Sequence, residues 1–260
     1  MIRTVRAVAV VGAVALAAVG CGTDKADEPV AAGDKVTGTV TVFAAASLTE
    51  TFTELGKQFE AAHPGVKVVY NFGGSSALAE QIKQGAPADV FASAAPKNMQ
   101  QVVDAGEVTA KPVIFVRNRL EIAVPAGNPG HITGLADFGK AEPKIALCAE
   151  QVPCGAAAKT VFDAAGVTAQ PDTRESDVKA VLTKVTLGEV DAALVYRTDV
   201  QAAGSKVEGI DFPEAGKAVN DYPVAPLAKA PNAAAAAAFV EFVGSDQARA
   251  VFTKAGFDNP

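Results

Sequence analysis

The chain of 260 residues contains no Trp, only two His and only three Cys, and each shortage removes a class of function. His63 and His131 stand apart, and Cys21, Cys148 and Cys154 lie at none of the usual zinc spacings, so no site for a transition-metal cation is expected. Lys and Arg nowhere cluster. A formal charge of −6 and a pI near 5.0 argue against nucleic acid, whose binding rests on massed cations. The uncharged apolar run at 7–20 is too short to span a bilayer. Internal repeats are absent, and the alanine run 233–238, read as helical, is the one low-complexity stretch. What is present, 49% hydrophobic and 20% charged residues, falls in the globular range.

Arg3 and Arg6, the apolar run and the small residues before Cys21 have the layout of an export signal. The arginines are separated by Thr4 and Val5, which points to the general secretory route rather than the twin-arginine one. Ala18-Val19-Gly20-Cys21 resembles a bacterial lipobox, with Ala18 where Leu is usual, and implies that cleavage leaves Cys21 as a lipidated N-terminus. An ordinary cleaved signal that contains a Cys is the other reading. Removal of 1–21 takes the formal charge from −6 to −8. Residues 22–37 read as a flexible tether with a reach on the order of 20 Å. The expected location is therefore the extracytoplasmic face of the cell membrane, anchored by lipid on Cys21.

From Gly38 onward, β-branched stretches alternate with helical spacings. Residues 39–44 read as a strand, and Leu48, Phe52, Leu55 and Phe59 recur at helical spacing until His63-Pro64-Gly65. Strands at 66–72, 89–93, 145–149 and 192–196 and helices at 76–84, 96–105, 156–165 and 177–187 continue the pattern, with extended stretches at 113–117, 120–125 and 207–212. Such units predict mostly parallel sheets covered by helices on both faces. The length suits two α/β domains, 38–118 plus 226–260 and 119–225. The pieces 118–124 and 221–225 are candidates for strands crossing between them, which leaves the C-terminal helices on the first domain.

Several strand-to-helix junctions carry groups suited to an anion. Ala44-Ala45-Ala46-Ser47-Leu48-Thr49-Glu50 offers Ser47 and Glu50 as an S-x-x-E capping box, or small residues and open amides at a helix start. Phe72-Gly73-Gly74-Ser75-Ser76 is either a turn with its cap or a pair of exposed amides beside two hydroxyls. Val152-Pro153-Cys154-Gly155 and Ser176-Asp177-Val178 open two further helices, and Tyr196 ends the strand 192–196. Ligands of open α/β sheets sit beyond the carboxyl ends of the strands, where these five segments would meet.

Together with Gly85-Ala86-Pro87-Ala88-Asp89-Val90-Phe91, Leu194-Val195-Tyr196 and Tyr222-Pro223-Val224, the strings Val42-Phe43-Ala44-Ala45-Ala46-Ser47-Leu48 and Val152-Pro153-Cys154-Gly155 make the chain from Val40 to Phe257 resemble the molybdate-binding proteins of bacterial ABC transporters. The resemblance implies a two-domain α/β fold of periplasmic binding protein type II, with two crossing strands and a cleft between the domains. It implies a binding protein rather than an enzyme, with no cofactor, a molybdate or tungstate ligand, a monomeric state, and the permease and ATPase of an ABC importer as partners. The oxyanion would be held by hydroxyl and N–H at Ser47 and Ser75, by the backbone N–H of Cys154 and of Val178, and by the phenol of Tyr196. Gly74 stands where the family often has a third small or hydroxyl residue. Cys154 stands where a small non-thiol residue is usual, at a position that contributes only its main chain.

Molybdate at neutral pH is a proton-free tetrahedral dianion that only accepts hydrogen bonds, and hydroxyls, amides and a phenol all donate. Protonated phosphate would need an acceptor, which none of the five segments places at a contact position. Four helix N-termini supply partial positive charge without a Lys or Arg to desolvate. Asp89, Lys179 and Arg197, beside these segments, read as structural or as solvated residues of the cleft rim. A serine enzyme built on Ser47 or Ser75 lacks a His in these segments, and Cys148 with Cys154 lacks the C-x-x-C spacing of a redox pair. An Fe(III) receptor would want paired tyrosines, whereas Tyr70, Tyr196 and Tyr222 are isolated in the sequence. Sulfate stays open as an alternative ligand. With Cys21 taken by lipid, Cys148 and Cys154 form an even pair across a short gap and are expected to be disulfide-bonded in an oxidising compartment. The ligand is expected to close the two domains about the crossing strands.

Overall fold

The computed structural model describes residues 36–260; the expected signal at 1–21, its Cys21 and tether residues 22–35 lie outside the described residues. Val40, Val42 and Ala44 on β1 (Gly38–Ala45) face one apolar layer and Phe43 faces another, the double burial that parallel strands require. A 3-10 turn, Ala46–Leu48, leads into α1 (Thr49–Ala62), followed by β2 (Val66–Gly73), α2 (Ser75–Lys83), β3 (Val90–Ala92), α3 (Pro96–Asp104) and β4 (Val113–Asn118). Arg119 alone separates β4 from β5 (Leu120–Pro125). Then come β6 (Ile145–Cys148), α4 (Pro153–Ala165), β7 (Thr173–Glu175), α5 (Val178–Thr186) and β8 (Ala192–Tyr196). The chain ends with α6 (Arg197–Ala203), β9 (Val207–Ile210), β10 (Asn220–Pro226), α7 (Ala233–Val243) and α8 (Asp246–Lys254).

The strands form two five-stranded sheets, ordered β2-β1-β3-β10-β4 and β7-β6-β8-β5-β9. In each sheet four strands run parallel and the fourth in order, β10 or β5, runs against them. These two strands mark where the chain changes sheets. The first passage is at Arg119, inside the expected piece 118–124. The second lies upstream of the expected 221–225: those residues are already within β10, paired with β3 and β4 of the first sheet, and residues 211–219 make the passage.

On one face of the first sheet, Phe52 and Phe59 of α1 pack with Phe239 of α7 and Phe252 of α8; on the other, Leu78 and Ile82 of α2 pack with Met99 and Val102 of α3. The second sheet has its own core, including Ile122, Phe138, Phe162, Val181 and Leu194. Two elements have no counterpart in the sequence reading. β7 is Thr173-Arg174-Glu175, a polar edge strand without apolar alternation. α6 starts directly after β8, because Asp199 Oδ2 accepts the Tyr196 N–H at 3.1 Å and turns the chain into a helix at once. Among the described residues no helix is long and apolar enough to cross a membrane.

Phe52 is fully buried, its ring centroid 5.8 Å from that of Phe115, 6.0 Å from Phe239 and 6.2 Å from Phe252. It therefore ties α1, α7 and α8 to the sheet. Phe52→Ala is expected to cost about 3–5 kcal/mol, measured by urea unfolding without ligand; a loss under about 1 kcal/mol would show that the cluster is not the first lobe's core.

Candidate functional site

Six parallel strands, β1, β2 and β3 of one sheet and β6, β7 and β8 of the other, deliver their carboxyl ends to one cavity. Its walls include Ala46 and Ser47 after β1, Gly74 and Ser75 after β2, Ala94 after β3, Pro153 and Cys154 after β6, Asp177 and Val178 after β7, and Tyr196 at the end of β8. All five residues expected to hold a ligand, Ser47, Ser75, Cys154, Val178 and Tyr196, are thus brought together. The cavity is narrow, on the scale of a single water or a small ion and closed to a sugar or peptide.

Apart from Asp177, the polar groups of the wall can all donate. The Ala94 N–H donates to Ser75 Oγ at 3.0 Å, so the Ser75 proton is free for another acceptor. Ser47 Oγ shares a hydrogen bond of 2.9 Å with Tyr222 Oη. Neither α2 nor α4 has a side-chain cap, so their first-turn amides, that of Cys154 included, have no partner within the helix. The buried hydroxyl of Tyr196 has no partner at hydrogen-bond geometry within the protein, although the Tyr222 hydroxyl lies near enough to act on it. Burial pushes its pKa well above the usual phenol range, and Tyr222 and Asp199 push the same way, which keeps the proton in place. Asp177 is the one acid in the wall, and its Oδ1 is occupied by the Ala180 N–H at 2.9 Å, capping α5.

The two lobes meet closely here. A Cβ at Gly74 would collide with the carbonyl oxygen of Ser176 on the other lobe, and one at Gly155 would collide with that of Ala149. Glycine is therefore required at position 74 for this approach. The expected disulfide is formed: Cys148, ending β6, joins Cys154 in the first turn of α4, with Cα atoms 5.8 Å apart. It fixes the loop that carries the Cys154 amide.

Several sequence expectations give way to the geometry. Ser47 and Glu50 do not make a capping box: the 3-10 turn shifts the start of α1, no side chain caps it, and Ser47 turns to Tyr222 instead. Glu50 reaches Lys179 Nζ of the other lobe at 2.9 Å, and Lys179 also lies 3.0 Å from Asp199 Oδ1, an ion pair without hydrogen-bond alignment. Burial disfavours the Lys179 charge, but Asp199 and Glu50 more than offset it and raise the pKa. Asp89 is not solvated; it is buried and accepts the Thr41 N–H at 2.7 Å and the Asn232 N–H at 2.6 Å. Arg197 pairs with Asp258 at 2.9 Å and donates to the Gly256 carbonyl. Tyr196 and Tyr222 are not isolated: their rings lie 6.0 Å apart, edge to face. Both are held protonated by burial, the opposite of the phenolates an Fe(III) site needs, and among the described residues no group of three His, Cys, Asp or Glu could hold a metal ion. Tyr222 and the Lys179 bridge depend on contacts between distant segments, for which the sequence carries no local signal.

The profile of the bacterial extracellular solute-binding proteins matches residues 40–258. The molybdate-binding protein ModA of Mycobacterium tuberculosis is 40% identical over 242 residues, 93% of this chain and 93% of its own. Among solved structures, the periplasmic molybdate-binding protein of Azotobacter vinelandii superposes with a TM-score of 0.72 at 22% identity, covering 85% of this chain and 99% of that one. The sulfate-binding protein SubI of M. tuberculosis superposes with a TM-score of 0.74 at 20% identity, over 85% and 86%. These structural likenesses establish the fold, the two-lobed periplasmic binding protein architecture.

If the Tyr196 hydroxyl is kept for a ligand and not for the fold, Tyr196→Phe removes an unsatisfied buried polar group. Without ligand the variant is expected to match the parent or exceed it by up to about 1 kcal/mol. A loss larger than about 1 kcal/mol in chemical unfolding would show that the hydroxyl has a structural partner.

Proposed function

This chain belongs to the bacterial extracellular solute-binding proteins, and we propose that it captures molybdate, and tungstate alike, outside the cell membrane and delivers it to an ABC importer. The observation that carries this reading is the Tyr196 hydroxyl, buried without a geometric partner in a wall where Ser47, Ser75 and the amides of Cys154 and Val178 can donate and the one acid, Asp177, is turned to cap α5. A proton-free tetrahedral dianion uses every one of them and needs nothing else. The M. tuberculosis relative, matched over nearly its whole length, carries the name of a molybdate-binding protein, which supports the same assignment. No catalytic role is given to Ser47 or Ser75.

On this reading Cys21 bears lipid and residues 22–37 tether a monomer to the membrane, within reach of the permease and ATPase. The lobes close on the ion about Arg119 and residues 211–219; residues 220–225, expected in the second lobe, pair within the first sheet and move with the first lobe. The Cys148–Cys154 bond holds the Cys154 amide at the ion.

Sulfate is the second reading, since it too is a proton-free dianion in solution and a sulfate-binding protein shares the fold. Its shorter bonds leave it short of donors fixed on four helix starts. Titration calorimetry with molybdate, tungstate, sulfate and phosphate separates the readings. Molybdate and tungstate are expected to bind equally, sulfate far more weakly and phosphate not at all; equal affinity for sulfate would overturn the assignment. Ser75→Ala should weaken molybdate by about 1.5–3 kcal/mol, and reduction of the disulfide should weaken it further. Unchanged affinity after reduction would remove the disulfide from the site.

A further inference from the structure

Ser75 and Ser47 face the cavity alike, but their hydroxyls are oriented by different means. A backbone N–H, which can only donate, fixes Ser75 as a donor toward the cavity. Ser47 has instead the phenol of Tyr222, 2.9 Å away and not itself part of the cavity wall. We propose that Tyr222 is the positioning residue for anion capture: its O–H donates to Ser47 Oγ and thereby turns the Ser47 proton onto the bound dianion.

The geometry of the phenol supports this role. Tyr222 is fully buried on β10, held edge to face by Phe257 at 5.6 Å, Tyr196 at 6.0 Å and Phe115 at 6.4 Å. A phenol oxygen lies on the ring axis, so clamping the ring fixes the oxygen whatever the ring rotation. Burial also raises the Tyr222 pKa well above its ordinary value, so the proton is present at any pH in which the protein works. An anion in the cavity accepts the Ser47 proton, and the Ser47 oxygen then has lone pairs to receive the one from Tyr222. Each bond of such a chain polarises the next. The alternative polarity, Ser47 donating to Tyr222, would turn serine lone pairs toward a dianion.

This inference rests on the oxyanion reading, and a four-protein cycle separates the two. Molybdate affinity is measured by calorimetry for the parent, Tyr222→Phe, Ser47→Ala and the double variant. Tyr222→Phe keeps the ring and its packing. It is expected to weaken binding about 5- to 20-fold in the parent and less than about 2-fold in the Ser47→Ala background, the coupling of groups joined by one hydrogen bond. Equal losses in both backgrounds, or none in the parent, would overturn the role, since a purely structural phenol does not depend on Ser47. A parent that binds no oxyanion would end the oxyanion reading and this inference with it. Unfolding of the ligand-free proteins gives a second reading of the same bond. The double variant should melt no lower than the weaker single one, whereas additive losses would contradict the coupling.

Discussion

Burying a doubly charged anion without a paired cation is the constraint on which the site depends. Desolvating an ion costs several kcal/mol even after the protein relaxes, and a neighbouring Lys or Arg would have to be desolvated too. Oriented N–H and O–H groups avoid the second cost, because helix starts carry partial positive charge without a formal one. The fold answers this by direction. With four strands of each sheet parallel, the strand ends and the helix starts that follow them lie on one side, and two such sheets face each other across the cavity. On the proposed reading, an acidic chain thereby holds an anion by local dipoles while its net charge has the wrong sign.

The same constraint accounts for features that are costly by themselves. A buried phenol without a partner is destabilising, and Tyr196 is kept so beside the cavity. Gly74 gives up a side chain so that the backbone can approach Ser176. Lys179, next to the Val178 amide, is half-buried between Glu50 of one lobe and Asp199 of the other, so its charge is paired across the lobes. The ion pairs from Asp258 to Arg119 and Arg197 sit where the chain crosses between the sheets, tying the C-terminus to the hinge.

Much of this was legible in the sequence because strand-to-helix junctions are local. Gly-Gly-Ser before a helix, Pro-Cys-Gly at a helix start and Tyr at a strand end could each be placed without a partner segment, and the cavity joins them as expected. The close pairing of Cys148 and Cys154 was readable from their spacing. Where the reading departed from the structure, the deciding contact was distant in sequence. The spacing of Ser47 and Glu50 allows a capping box, whereas the partner of Ser47 is Tyr222, 175 residues away. Asp89 reads in the sequence as either structural or solvated, and it is structural because β1 and the start of α7 bring Thr41 and Asn232 to it. β7 escaped notice because an edge strand of Thr-Arg-Glu has no buried face to impose alternation.

The central claim is that five groups from two lobes hold one molybdate ion. A crystal of the protein grown with molybdate, measured at the molybdenum absorption edge, locates the metal atom directly by anomalous scattering. The account predicts one strong peak in the cavity, its oxygens within hydrogen-bond distance of Ser47, Ser75, Tyr196 and the amides of Cys154 and Val178. A peak elsewhere, or an oxyanion held by a Lys or Arg side chain, would contradict it.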